Sequence, residues 1–410
     1  MKFQPVQARS NWKDRAQEMG YLAWMFDNPP YWAEALPQPF CAEFTVSEIR
    51  DTIAKASSEL IELGLRAVEE VCCSARSDEL FNRLRIPNQF RDGIKQSWLR
   101  KDPTVYGRFD FSFNNGQVKL LELNFDTALA LYESSIFQLV WFEDLKSAGQ
   151  ISGDQYNTLH DRLIKTFASL DLGEDLLHLA CLKQYPEDWD TSQYMQSCAI
   201  QAGVKAKLIE IKDLTYDDND QLMDSDGLPV KHMFKLYPWQ FLFADDARVA
   251  NLDPNGRSHS LLANAMETGS TKFIEPPWKV LLSSKAIMSV MWDLEPNCPW
   301  LLESRTEDQP EAAQLKQRPH ARKPIFGMEG TSVSLIHPGQ PEKSFVNPGH
   351  LGHEGFLLQD LCPLPKYENY HVLIGSWVIG GKPAGIGIRA DRSPVTTANH
   401  CIFVPHYVSE

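Results

Sequence analysis

Two short runs carry side chains able to hold a hard cation: Arg108-Phe109-Asp110-Phe111 and Leu120-Leu121-Glu122-Leu123-Asn124. Each alternates polar and apolar residues, the period of a strand with one buried face, so Arg108 and Asp110 share one face and Glu122 and Asn124 share one face. A carboxylate on an apolar strand is costly unless a cation compensates it. Asp110, Glu122 and Asn124 offer only hard oxygen donors, the set that suits Mg²⁺ carrying a nucleotide phosphate. Between the runs, Asn114-Asn115-Gly116-Gln117 predicts a turn and hence a β-hairpin. A loop centred on Gly116 sets Asp110 opposite Glu122 and Arg108 opposite Asn124. A two-residue Asn115-Gly116 turn shifts the pairing by one and sends them to opposite faces. We expect the Gly116-centred loop; the bland alternative is a solvent-facing hairpin whose carboxylates are merely wet.

Other candidates flank this pair. A helix is expected to begin at Thr127, with Asp126 or Thr127 as N-cap and backbone N–H groups free for an anion. A strand over Leu176–Leu182, a helix over Asp190–Ala202 and a strand over Ala206–Ile211 read as a βαβ unit. Glu187 and Asp188 then fall between strand and helix, at the carboxyl end where open α/β sheets bind ligands; the alternative is a pair of solvated loop charges. Lys285 sits on a helix-like stretch over Trp278–Leu294. Lys323 sits on a short strand before a turn bearing Gly327 and Gly330, where glycine lets backbone approach phosphate and lysine can pair with its oxygens. Arg389 closes the run Gly385-Ile386-Gly387-Ile388-Arg389, placed either to stabilise anionic charge in a transition state or to pair with an acid.

The positioning elements follow the same reading. Residues 1–44, with Tyr21, Trp24, Phe26, Pro29, Pro30, Tyr31 and Trp32, suggest an irregular segment packed over the body. Thr45 and Glu48 form a capping box opening a helix with Ile49, Ile53, Leu60, Leu63 and Val68 on one side. A helix over Pro87–Leu99 leads into the hairpin. The acidic stretch Asp213–Asp226 reads as exposed loops around a hairpin, and Phe234–Trp239 as core or cavity wall. Ser304–Lys323 is polar and without periodicity, a disordered loop or a lid. The region Val372–Tyr407 is strand-rich and turns at Gly380-Gly381-Lys382-Pro383. The fold class is α/β with α+β elements.

With 410 residues and 43% hydrophobic composition the chain can bury a large core. Its net charge of −14 argues against nucleic acid as a partner. No stretch reaches transmembrane length and the N-terminus has no apolar leader core, so neither membrane insertion nor secretion is expected. Eight cysteines without a CxxC pattern point to reduced, mostly buried thiols and a cytoplasmic location.

Several segments resemble the synthetase part of the glutathionylspermidine synthase family: RFDF at 108–111, ELNFDT at 122–127, PEDWDTSQYM at 186–195, FKLYPWQ at 234–240, EPPWKVLLSSKAI at 275–287, KPIFGMEG at 323–330 and GSWVIGGKPAGIGIRADRSPVTT at 375–397. The resemblance implies an ATP-grasp-like ligase fold with a preceding α/β subdomain, in one ligase unit over 1–410 without room for a fused amidase. Its approximate subregions are 1–100, helical and irregular; 101–270, metal- and substrate-binding; and 271–410, nucleotide-binding with a lid at 304–323. It also implies an ATP-dependent carboxylate–amine ligase working through an acyl phosphate. By position, Asp110, Glu122 and Asn124 become Mg²⁺ ligands, Arg108 and Arg389 contact the reacting phosphoryl group, and Lys285 and Lys323 hold ATP phosphates. Gly327 and Gly330 lie in the loop closing over ATP, Thr127 meets the acid, and Glu187 and Asp188 receive the amine. Relatives carry hydroxyl residues after Asp-Thr where this chain has Ala128-Leu129-Ala130, which leaves the acid open, glutathione included. The competing readings are a non-catalytic nucleotide-binding regulator and a kinase.

Overall fold

A computed structural model of the chain describes residues 1–20, 30–252, 261–397 and 400–409; Tyr21, Trp24, Phe26 and Pro29 lie outside the described residues. The central layer is a six-stranded antiparallel sheet. Its order is Ile402–Val404, Lys382–Asp391, Tyr370–Ile379, Tyr106–Asn114, Gln117–Asn124, with Lys366–Tyr367 pairing onto Tyr370–Ile379. The strands alternate as the sequence requires. Phe109, Phe111 and Phe113 enter the main core with Val372, Ile374, Ile386 and Ile388, while Arg108, Asp110 and Arg389 take the opposite face. The core face packs on the helix Lys55–Cys73, whose Leu60, Leu63, Ala67, Val68 and Val71 recur at helical spacing. Ser57 and Ser376 hydroxyls hydrogen-bond at 2.8 Å within that contact. The expected capping box forms: Glu48 accepts from the Thr45 backbone N–H at 3.0 Å and Thr45 Oγ1 accepts from the Glu48 N–H at 3.2 Å. The first turns, Glu48–Ala54, are wound wide as a π-helix.

Two further sheets flank this layer. A four-stranded parallel sheet, ordered Lys272–Ile274, His232–Lys235, Leu177–Cys181, Ala206–Glu210, contains the expected βαβ unit. A five-stranded antiparallel sheet, ordered Ser304–Thr306, Phe356–Asp360, His320–Pro324, Ser334–Ile336, Phe345–Val346, carries Lys323. The stretch 304–323 is therefore not a structureless lid. It folds as an edge strand, a helical turn at Ala312–Leu315 and a sheet strand, because Ala312 and Leu315 bury against Leu358 and Arg318 and Arg322 pair with Asp360 and Glu307. The N-terminal segment is more regular than expected where described: Lys2–Pro5 and Phe40–Thr45 form a small sheet with His406–Ser409. None of the eight cysteines is in a disulfide, and six are buried. Among the described residues no helix is long and apolar enough to cross a membrane.

Candidate functional site

The hairpin reaches its expected pairing by an unexpected route. Its turn is the two-residue kind: Asn115 and Gly116 adopt φ of 50° and 75°, and Asn114 pairs with Gln117. Asn-Gly is the strongest sequence for such a turn, so local preference wins over the Gly116-centred loop. Left uninterrupted, that register would oppose Asp110 to Leu121 and turn Glu122 away. A β-bulge between Asp110 and Phe111 adds Leu121 to the partner strand, so Asp110 pairs with Glu122 and Arg108 with Asn124 after all. Leu121, left outside the pairing, offers its carbonyl to the Lys323 ammonium at 2.8 Å.

The remaining strands extend the polar face. Asp110 accepts from Arg108 Nε at 2.6 Å, Arg389 Nη2 at 2.6 Å and Asn124 Nδ2 at 3.2 Å. Burial works against its charge, but Arg108 and Arg389 more than offset it and hold the carboxyl down at about 2. Arg108 also donates to the Leu129 carbonyl at 2.6 Å and lies 5.4 Å from the Trp377 ring centroid. It can lie flat there because position 375 is glycine: a Cβ at Gly375 would stand 2.7 Å from Arg108 Cδ.

Both expected lysines converge on the same edge. Lys285 sits not within a helix but in the break between Val280–Ser283 and Ile287–Leu294, where its backbone N–H bonds the Ile325 carbonyl at 2.9 Å. Its ammonium bridges Glu122 Oε1 at 2.9 Å and the Gly327 carbonyl at 2.8 Å. Lys323 bonds Gln359 Oε1 at 2.7 Å besides Leu121; burial, reinforced by neighbouring Lys285 and opposed by Glu122, lowers it to about 8. The turn beyond is tightly wound, with Glu329, Gly330 and Ser332 at φ of 53°, 68° and 61°. Gly330 is required there, since a Cβ would meet the Thr396 carbonyl at 2.6 Å.

Opposite this cationic edge stands an acidic one. The helix after Leu177–Cys181 begins at Pro186, four residues before the expected start, because proline suits a first turn. Glu187 and Asp188 therefore occupy that turn rather than a loop. Burial is the main cause that raises both carboxyls to about 7, with Glu133 and Glu329 adding repulsion at Glu187 and Glu329 at Asp188. Glu329 is a further acidic residue of the site, and its one signal in the sequence is an acid between the glycines of the Gly327–Gly330 turn. The other correction concerns Asp126, which does not cap the helix that follows it: that helix begins only at Leu131, and Asp126 is buried against Lys235 and the N–H of Trp239, the first residue of the helix Trp239–Leu252.

One cavity of about 1060 Å³ joins the two edges. Arg108, Asp110, Glu122, Asn124, Thr127, Glu187, Asp188, Lys323, Gly327, Gly330 and Arg389 all line it, as does Glu329, and Lys285 reaches its wall through Glu122 and Gly327. At the sheet end four cations, Arg108, Arg389, Lys285 and Lys323, face two carboxylates, Asp110 and Glu122. The excess positive charge suits an anion, and the acidic end suits a cation. Among the described residues no group of three or more His, Cys, Asp or Glu could hold a metal ion; a metal at Asp110 and Glu122 would need oxygens from elsewhere.

Residues 3–409 match the family described as glutathionylspermidine synthase preATP-grasp. The chain belongs to that family. Among glutathionylspermidine synthase relatives, a Haemophilus influenzae protein named "Putative acid--amine ligase" is 30% identical over 393 residues, covering 93% of this chain and 92% of its own. Trypanothione synthetase of Crithidia fasciculata is 28% identical over 78% of this chain and 50% of its own length. The bifunctional glutathionylspermidine synthetase/amidase of Escherichia coli is 25% identical over 86% and 57% respectively. The chain thus spans about half the length of these last two. A glutathione synthetase-like effector of Globodera pallida superposes with a TM-score of 0.52 at 10% identity, over 90% of this chain and 89% of that one, which establishes the glutathione synthetase-like ATP-grasp fold.

Proposed function

We propose that the chain is an ATP-dependent carboxylate–amine ligase that joins a small acid to an amine with release of ADP and phosphate. The observation that carries this reading is the single cavity with a cationic wall at one end and an acidic wall at the other. Amide formation from a free acid needs both: a place to transfer a phosphoryl group and a place to hold an ammonium precursor.

The donor set fits a nucleotide-borne Mg²⁺. Mg²⁺ commonly takes one or two carboxylates and completes its shell with phosphate oxygens and waters, and the hairpin supplies two carboxylates and an amide on one face. In this reading Asp110, Glu122 and Asn124 would hold the ion, which when bound supplies charge neutralisation at the phosphates. Lys285 and Lys323 would exchange their carboxylate and carbonyl partners for phosphate oxygens, with the turn containing Gly327 and Gly330 closing over them. Arg108 and Arg389 would stabilise the charge spread over the transferring group. The acid's carboxylate oxygen attacks the terminal phosphorus of ATP, ADP leaves, and a mixed acyl phosphate results. The amine nitrogen, held near Glu187 and Asp188, attacks the acyl carbon; the C–O bond to phosphate breaks, and the nitrogen gives up a proton. Thr127 would contact the acid. No enzyme nucleophile is consumed.

Phosphate release with MgATP, measured across a panel of small acids and peptides crossed with polyamines and amino acids, tests the reading. The expected result is release that requires both an acid and an amine, with a product mass equal to their sum less water. ATP binding without release for any pair would refute ligation.

A further inference from the structure

Beside the cavity, which Asp126 itself lines, lies a quartet of buried charges that the reaction scheme leaves unused. Lys235, wholly buried, donates to Asp126 Oδ1 at 2.5 Å and to the Tyr237 carbonyl at 3.1 Å, and lies 4.5 Å from the Trp239 ring centroid. Asp126 Oδ2 takes the Trp239 N–H at 2.8 Å. Lys279 pairs with Glu275 at 2.9 Å and donates to the Tyr106 carbonyl at 2.9 Å. Glu275 Oε1 accepts the Val105 and Tyr106 N–H groups, each at 2.9 Å, and its other oxygen takes the Thr104 hydroxyl. Trp239 Nε1 reaches the Glu275 carbonyl at 3.3 Å and links the two pairs.

Such a cluster is a poor source of stability. Two ion pairs removed from water lose solvation that their attraction barely repays, and apolar or neutral replacements of similar volume are often neutral or stabilising. Burial raises Asp126 and lowers Lys235 and Lys279, each away from its charged form. What the quartet does supply is geometry. Lys235 ends one strand of the parallel sheet and Glu275 directly follows another, Lys272–Ile274. Their partners are the entry and exit of the site hairpin: residues 104–106 lead into the Arg108 strand and Asp126 follows Asn124. Asp126 also begins the loop that ends at Ala130, a non-glycine residue at φ of 72°, and this loop's Leu129 carbonyl holds Arg108.

We propose that the Asp126–Lys235 and Glu275–Lys279 pairs are positioning residues that fix the hairpin and Arg108 against the parallel sheet, so that the phosphoryl and amine ends of the cavity stay in register. This rests on the phosphoryl role of Arg108 proposed above. Through Leu129 the quartet acts on Arg108, the side chain assigned above to the transferring phosphoryl group, so loosening it weakens nucleotides that carry that group more than those that lack it.

The test uses two neutral double variants of the full chain, Lys235→Met with Asp126→Asn and Lys279→Met with Glu275→Gln, in which the new amides can still accept the backbone N–H bonds. Affinities for Mg·AMP-PNP and Mg·ADP are measured by calorimetry, alongside thermal melts. The expected result is a cooperative melt near that of the parent, an AMP-PNP affinity lowered about tenfold, equivalent to about 1.4 kcal/mol, and an ADP affinity within about twofold. Equal losses for both nucleotides, no loss for either, or a collapsed melt in both variants would overturn the proposal and make the quartet structural. Failure of the unsubstituted chain to bind either nucleotide is a separate result: it removes the phosphoryl reading itself, and this proposal with it.

Discussion

Replacing Glu122 by glutamine separates a chemical role from a structural one, because the two predict different magnitudes. Glu122 meets Lys285 at 2.9 Å with its side chain 26% exposed. The gross attraction at that distance is roughly 6 kcal/mol for an effective dielectric constant near 20, but most of it is offset by desolvation. Glutamine keeps an acceptor oxygen, and Lys285 keeps the Gly327 carbonyl at 2.8 Å. The change therefore converts one charged hydrogen bond into a neutral one, a loss of about 1 kcal/mol, which shifts the melt by no more than about 2 °C in a chain of this size. Loss of a charged ligand beside a transferring phosphoryl group costs far more, on the order of 10²–10³ in kcat, or about 3–4 kcal/mol. The assay is phosphate release with MgATP and the best substrate pair, run beside a thermal melt on one preparation. Activity down at least about a hundredfold with an intact melt supports the metal-ligand role. A melt that collapses together with activity makes Glu122 structural, and retained activity removes it from the reaction.

Other substitutions address the rest of the cavity. Glu187→Ala should raise KM for the amine about tenfold or more with KM for ATP nearly unchanged; equal effects on both would sink its assignment. Lys323→Met should raise KM for ATP about 10–100-fold while the melt moves by only a few degrees, as expected of a cation that burial already disfavours. Gly375→Ala forces Arg108 aside, since the new Cβ stands 2.7 Å from its Cδ; kcat should fall about tenfold or more, and an unchanged kcat would show that Arg108 need not lie flat. The raised carboxyls set a pH dependence. Glu187 and Asp188 ionise near pH 4 when unfolded but at about 7 in the fold, so across that window the unfolded chain has released protons that the folded chain retains. Stability of the ligand-free protein should fall as pH rises from about 4 to 7, KM for the amine should fall as pH passes through 7, and Glu187→Gln should flatten the stability slope.

The sequence revealed much of the site because strand alternation is a local rule. Arg108 with Asp110, and Glu122 with Asn124, share a face by period alone, and the glycines around Arg389 and Lys323 mark where side chains would collide. Three features depended on the rest of the fold. Pro186 drew the helix start back over Glu187 and Asp188, a first-turn preference that outweighed the later hydrophobic pattern. Residues 304–323 lack periodicity because their order comes from Ala312 and Leu315 burying under Leu358, from Arg318 pairing with Asp360, and from Arg322 pairing with Glu307 fifteen residues away, none of them at helix or strand spacing. The Asp126–Lys235 pair joins segments more than a hundred residues apart and leaves no spacing signature, and the i,i+4 spacing of Glu275 and Lys279 does not show that their partners are residues 104–106.

The bulge at Leu121 shows how a turn preference and a site requirement coexist in one hairpin. Asn115-Gly116 commits the chain to the tightest turn, which by itself would place Glu122 on the face away from Asp110. Lengthening the turn would correct the register but loosen the hairpin; one extra residue beside Asp110 corrects it only where the site begins. The strand beyond the bulge, from Phe111 to Asn114, can then keep its phenylalanines in the core, while the strand before it presents Arg108 and Asp110 to the cavity. The bulge also frees the Leu121 carbonyl, which Lys323 engages from the facing sheet. Deleting Leu121 should therefore give an uninterrupted ladder with Asn115-Gly116 intact, in which Glu122 still opposes Asp110 but the carbonyl that Lys323 engages is gone. A melt close to the parent with Mg·ATP affinity lowered about tenfold is the expected outcome, and unchanged affinity would mean that the Leu121 carbonyl does not help place Lys323.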